Sequence, residues 1–397
     1  MNKRVYLLTI VSFVVGMVEL IIGGILDLVA EDLHVSIGHA GFLITAFSLV
    51  FAVASPLLLM MTSKVERKRL TLLTLLVFFA GNGIAIFSPT YSVLLIARIL
   101  SAASGSLLVV LCITIASNIV SEKYRARAIG VVFMGISASL VLGVPIGLML
   151  GNAFGWRAPF ILIAGLTLLS IAGVYFFMEQ MASKPAVSLM IQIKTLKNRK
   201  LLFGQLTSFL FLAGHLTLYG YLTPFLKTAL GLNGTWVSIV YLVFGCAAVA
   251  GGGVGGFLAD RLGTKRSIIG FIILFGFTMF VIPYTTFSLP FFLSVMIIWS
   301  MLSWAITPAM QSYLIESSTA ETSDIQQSLN NTALHFGIAF GSAIGGFVIE
   351  QSTVESNATV GGCFIIIALA TALISMSERK RSLSALRIHP KTEKTLP

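Results

Sequence analysis

The chain has 397 residues, of which 57% are hydrophobic and only 10% charged, with 26 lysines and arginines against 15 acids. A soluble domain carries about 25% charged residues, so this balance excludes a soluble enzyme or binding module. A membrane helix takes about 20 apolar residues, which leaves material for roughly a dozen, and the chain reads as an all-α polytopic membrane protein.

The first six apolar stretches of spanning length are Val5–Leu28, Ala40–Met61, Leu70–Phe87, Ser92–Val120, Ala128–Leu150 and Ala158–Met178. The first follows Lys3 and Arg4, but it is too long for a signal peptide and lacks a small-residue cleavage site, so it is expected to remain as a helix. Glu19 is the acid well inside it, roughly 22 Å from Arg4 at ~1.5 Å per residue. Asp27 is expected as an ordinary acid at the far boundary. The fourth stretch carries Arg98, whose burial is costly unless it is paired or hydrated, and Glu19 is its expected partner. The fifth places Gly135, Ser139, Gly143, Gly147 and Gly151 four apart around Pro145, a face along which another backbone can approach closely.

The polar segment 179–200 separates these helices from six more, at Leu201–Leu226, Thr235–Leu258, Ile268–Phe287, Pro290–Ile315, Ser328–Ile349 and Val360–Ser377. Gln205, Ser208, His215 and Tyr219 share one stripe of the seventh. The tenth carries Trp299, Ser303, Trp304, Pro308 and Gln311, and the eleventh Asn330, Asn331 and His335. Polar groups at this depth should face protein or a water-filled cavity. Gly143-Val-Pro-Ile-Gly147 recurs as Gly341-Ser-Ala-Ile-Gly345, and Ser63-Lys64-Val65-Glu66 as Asp260-Arg261-Leu262-Gly263, at nearly one separation. This predicts two homologous bundles, 1–178 and 201–377, joined by the 179–200 linker and followed by a basic tail, 378–397.

Twelve spans put both termini on one side. All lysines and arginines except Arg98, Arg157 and Lys227 then fall on that side, which the positive-inside rule makes cytoplasmic. This placement accounts for the net charge of +11 without nucleic acid. Cys112, Cys246 and Cys363 lie in apolar runs with no metal or disulfide spacing. No Gly-x4-Gly-Lys-Ser/Thr loop points to ATP, and no metal motif is present, so neither an enzyme nor a cofactor is expected.

The loop Gly256-Phe-Leu-Ala-Asp260-Arg261-Leu-Gly263-Thr-Lys265-Arg266 resembles that between the second and third helices of each half in major facilitator superfamily transporters. The resemblance covers essentially the whole chain and implies twelve helices in two pseudo-symmetric six-helix bundles. It implies gating by Asp260 and Arg261, although Ser63 and Glu66 depart from the pattern in the first half. The fifth helix resembles that of the drug:proton antiporter branch, which adds Gly143, Pro145 and Gly147 to the gating set. Arg98-Ile-Leu-Ser101-Ala-Ala-Ser-Gly105 resembles the arginine motif of proton-coupled members, which makes Glu19 and Arg98 the expected coupling pair. Ala213–Tyr219, Pro308–Glu316 and Ser323–Asn330 look like segments of bacterial purine-base efflux pumps. His215, Tyr219, Trp304, Gln311, Asn331 and His335 are therefore expected to bind substrate. The implied protein is a monomeric proton-coupled efflux carrier of the plasma membrane, for purine bases, nucleosides or analogues. Multidrug or sugar efflux by the same fold is the alternative within this class, and a non-transporting membrane sensor the alternative outside it.

Overall fold

A computed structural model of the protein describes residues 3–121, 124–182, 194–318 and 322–377. Among them every long element is a helix, and twelve spans are long and apolar enough to cross a membrane. Helices satisfy their own backbone hydrogen bonds, so such sequences can span lipid without an exposed edge. The first half holds α1 (Lys3–Gly24), α2 (Leu26–Asp32), α3 (Ile37–Met61), α4 (Arg67–Ile86), α5 (Tyr91–Asn118), α6 (Arg125–Ala138), α7 (Val144–Phe154) and α8 (Ala158–Phe177). The second holds α9 (Arg199–Tyr219), α10 (Leu222–Ala229), α11 (Gly234–Leu262), α12 (Thr264–Val281), α13 (Leu289–Glu316), α14 (Ser323–Gln351) and α15 (Ser356–Met376). The expected tail, 378–397, and residues 183–193 of the expected linker lie outside the described residues.

Small residues set the packing within each half. A Cβ on Gly135 would meet the Thr9 carbonyl at 2.2 Å, and Gly143 and Gly147 lie against Met17 and Ile21 of α1. In the second half, a Cβ on Gly337 or Gly341 would meet the Phe209 or Ala213 carbonyl of α9 at 2.4 or 2.1 Å. The two halves therefore repeat one parallel helix contact in one register. The glycine face of the fifth span was expected to gate. Gly143 and Gly147 instead pack within their own half.

Three predicted helices are not continuous. The first stretch breaks after Gly24 and resumes as α2, and the seventh breaks after Tyr219 and resumes as α10. At the first break, the carbonyls of Gly23 and Gly24 accept hydrogen bonds from Tyr241 and Thr223 of the opposite half. In the fifth span, a π turn at Ser139–Gly143 joins α6 to α7, and the Val144 amide donates to the Ser139 carbonyl. Pro145 has no N–H for the carbonyl four residues back, and the wider turn accommodates that missing bond.

At the end remote from the termini, Asp32 accepts hydrogen bonds from Trp156 Nε1 and Arg157 Nη1, both at 2.8 Å. The Trp156 N–H and then the Arg157 guanidinium hold this carboxyl below its ordinary range. A depressed carboxylate stabilises the fold above its unfolded-state pKa, and that contribution is lost as pH falls through the folded-state value. Asp32→Asn should lower detergent stability at neutral pH by about 1 kcal/mol, limited by solvent screening of an exposed pair. Thermal unfolding should show the gap to wild type closing in acid. A gap that widens in acid would contradict this assignment.

Candidate functional site

The halves are joined at the end remote from the termini. Thr223 Oγ1 donates to the Gly24 carbonyl at 2.8 Å, and Tyr241 Oη to that of Gly23 at 3.3 Å. The Thr45 and Ser342 hydroxyls share a bond of 2.9 Å, and Ser36 Oγ donates to Glu350 Oε1 at 2.5 Å. Lys227 forms an ion pair with Asp27 across the same seam. Asp27, expected as an ordinary boundary acid, is thus a tie between the halves. No sequence pattern links it to a lysine 200 positions away. Both cations expected on the far side, Arg157 and Lys227, are paired there.

Toward the termini the seam ends at Phe51 of α3, which stacks on His335 of α14 with centroids 4.3 Å apart and planes at 7°. Beyond it, Met60, Met61 and Asn331 are exposed. The inter-half contacts named above all lie between Phe51 and the remote end, so the halves part toward the termini as a funnel closed at the other end.

Glu19 stands at its neck, and the expected pairing with Arg98 is not what the fold makes. His335 Nε2 lies 3.2 Å from Glu19 Oε1, so the partner comes from the opposite half. The Arg98 Nη1 donates to the Val18 carbonyl at 2.7 Å, and the guanidinium lies over the Phe47 ring at 4.0 Å. Arg98 is only 1% exposed, and its Nε and Nη2 have no hydrogen-bond partner among the described residues. His335, expected to bind substrate, faces the acid instead. Its Nδ1 lies 2.9 Å from the Asn331 carbonyl one turn earlier. The side chain of Asn331 remains at the exposed surface of α14.

His215 and Tyr219 were expected to bind substrate along with His335, and the structure gives them different surroundings. His215 lies two residues beyond Ala213, as Glu19 lies two beyond Met17, so the repeated register puts both at one depth. Depth alone does not bring them together. His215 is buried within the second half, its ring 5.2 Å from those of Tyr219 and Trp299 and 5.7 Å from Phe275. The His215 Nδ1, Tyr219 Oη and Trp299 Nε1 have no hydrogen-bond partner among the described residues.

A small pocket of about 10 Å³ adjoins this cluster, lined by Ser208, Phe211, Thr307, Met310, Asn330 and Leu334 among others. Asn330 Nδ2 donates to Ser208 Oγ at 2.7 Å and to Gln205 Oε1 at 3.1 Å. These three polar residues form one network between α9 and α14. Trp304 and Gln311 are half-buried on α13, and the Gln311 carbonyl accepts from Gln327. Sequence reasoning missed Phe51 and the apolar lining, because aromatic and aliphatic residues occur throughout every span.

The expected latch at Asp260 is not made. Asp260 and Arg261 are exposed at the end of α11, with the Arg261 guanidinium over Phe257 of its own helix. The acid that binds a helix start is Glu66 in the first-half loop, which had been read as degenerate. It accepts from the amides of Lys68, Arg69 and Met181 at 2.8, 2.7 and 2.7 Å. Burial works against its charge, but these three amides outweigh burial and hold the carboxyl below its ordinary range. An open funnel leaves Asp260 nothing to reach, whereas Glu66 finds two neighbouring amides and that of Met181 without any contact to the second half.

The sequence matches the Major Facilitator Superfamily over residues 8–342. It is 36% identical over 381 residues to an uncharacterized MFS-type transporter, YbcL of Bacillus subtilis, covering 96% of this chain and 97% of that one. It is 26% identical over 370 residues to a probable sugar efflux transporter of Helicobacter pylori, covering 92% of this chain and 93% of the relative. Among solved structures, the fold is similar to a bacterial homolog of the human lysosomal transporter Spinster in an inward-facing, unoccupied conformation. That match has a TM-score of 0.79 and 14% identity, covering 94% of this chain and 98% of the other.

Proposed function

The chain belongs to the Major Facilitator Superfamily of membrane transporters, and we propose that it is a proton-driven efflux carrier of small heteroaromatic molecules. One observation carries this reading: a lone carboxylate, Glu19, stands at the neck of a funnel closed at one end and faces the opposite half. An ionisable group at that depth is expensive unless it is used, and protonation as access alternates is the use open to it. The distribution of basic residues supports termini in the cytoplasm of a plasma-membrane protein, and on that reading the funnel faces inward. The mostly apolar lining beside α13, with Ser208, Thr307 and Asn330 to orient a ligand, suits a flat amphipathic cargo once the small pocket there widens. Purine bases, nucleosides or analogues are first among such cargoes, and a monomer suffices. Asp260 and Arg261 would engage only after the funnel closes.

Sugar efflux is the second reading, favoured by the name of the Helicobacter relative. Proteoliposomes containing the purified protein test both. A proton gradient should drive uphill movement of labelled adenine or hypoxanthine and leave a labelled sugar unmoved. Sugar movement alone would select the second reading. Ligand binding without flux would make the protein a sensor.

A further inference from the structure

This inference rests on the reading of Glu19 as the coupling acid and concerns the group that completes it. His335 Nδ1 faces the Asn331 carbonyl, which can only accept, so Nδ1 carries a hydrogen. Nε2 is then the ring's variable position, and it lies 3.2 Å from Glu19 Oε1. Two bare acceptors at that separation repel each other. A proton between them turns the contact into a charge-assisted bond. Phe51, stacked at 4.3 Å, holds the ring in this orientation. The groups facing the pair are Phe51 from α3, Arg98 from α5 and the Asn331 carbonyl from α14. Arg98 acts on Glu19 through its charge, but its hydrogen bond goes to Val18.

We propose that Glu19 and His335 hold one proton between them, and that this shared proton bridges the two halves in the form closed at the end remote from the termini. His335 is thereby a second proton-coupling residue rather than a substrate ligand. Loss of the proton to water in the funnel leaves a carboxylate against a ring lone pair. A second proton neutralises the carboxylate, so the imidazolium N–H faces a carboxyl that still accepts but no longer carries the opposite charge. Only single occupancy gives a charge-assisted bond between α1 and α14, so proton release loosens the seam at its inner end, where Thr45 and Ser342 continue it. Reloading the proton favours closure of the remote end.

The test uses the full chain in lipid nanodiscs without ligand, with Cys112, Cys246 and Cys363 replaced by alanine. Spin labels go on Phe154→Cys and Tyr284→Cys, exposed positions (77% and 78%) at the remote end of the two halves. Pulsed distance measurements then give the ratio of closed to open remote ends. Raising the pH from about 6 to about 9, across histidine's reference pKa of ~6.5, should lower that ratio at least about fivefold. Glu19→Gln, whose amide donates permanently to Nε2, should stay closed at both pH values. His335→Phe keeps the stack on Phe51 but holds no proton, and should be open and insensitive to pH. His335→Gln provides a second variant, with an amide that donates to Glu19, and should be closed and insensitive. A wild-type response surviving in either His335 variant, or in Glu19→Gln, would overturn the proposal. Proton-driven flux is scored separately. Flux without a gradient effect, alongside the expected distances, would overturn the coupling reading and leave the bridge standing.

Discussion

Glu19→Gln is expected to cut proton-gradient-driven flux by about 100-fold or more while changing ligand affinity less than about threefold. The amide has nearly the volume of the carboxylate and can still hydrogen-bond His335 Nε2, so packing at the neck changes little. It cannot take up and release a proton at the depth where the halves meet. Coupling needs that cycle, because protonation must differ between the two access states for a gradient to do work. Arg98 does not replace it, since its guanidinium bonds the Val18 carbonyl and stacks on Phe47. The measurement is uptake into proteoliposomes with and without an imposed pH gradient, alongside equilibrium binding. Gradient-driven uptake within about twofold of wild type would remove Glu19 from the mechanism.

The second large effect separates folding from alternation with two glycines on one helix. A Cβ on Gly251 would lie 2.1 Å from the Met301 carbonyl of α13, inside the second half. Backbone cannot yield there without parting α11 from α13 along their length. Gly251→Val should therefore cost about 3 kcal/mol or more, and most of the monodisperse protein should be lost on size exclusion in detergent. Gly245 stands six residues earlier and faces the other half, where its Cβ would lie 2.8 Å from both the Leu140 carbonyl and Val141 Cα of the π turn. Those groups belong to a surface that can move away as a body. Gly245→Val should fold, with the seam held ajar. A Thr45→Cys probe in the cysteine-free background should then react several-fold faster with a membrane-impermeant maleimide than it does with Gly245 intact. Equal loss of folded protein in both variants would show that the two halves do not move apart at this contact.

The resemblance of the Asp260 loop and the fifth helix to a transporter family was legible in local motifs, and the family match bears out the superfamily. Assigning Asp260 a latch required more than the motif. The latch depends on which end of the funnel is closed, and that is a property of the whole bundle. The same limit explains Glu66, whose partner Met181 lies 115 positions away.

Composition and hydropathy by themselves determined that this chain is an all-helical membrane protein with twelve spans. Lipid leaves the backbone no other way to satisfy its hydrogen bonds, so the count of apolar stretches becomes the fold class. Spacing also determined the repeated glycine face, since rise per residue is fixed in a helix. Helix rotation and the approach of the two halves are not written in either quantity. Only the tertiary structure decided that Glu19 faces His335 rather than Arg98, and that His215 turns into an aromatic cluster away from the funnel. Only it decided that the first and seventh helices break, and at the first break the carbonyls of Gly23 and Gly24 are bonded by side chains about 200 residues away.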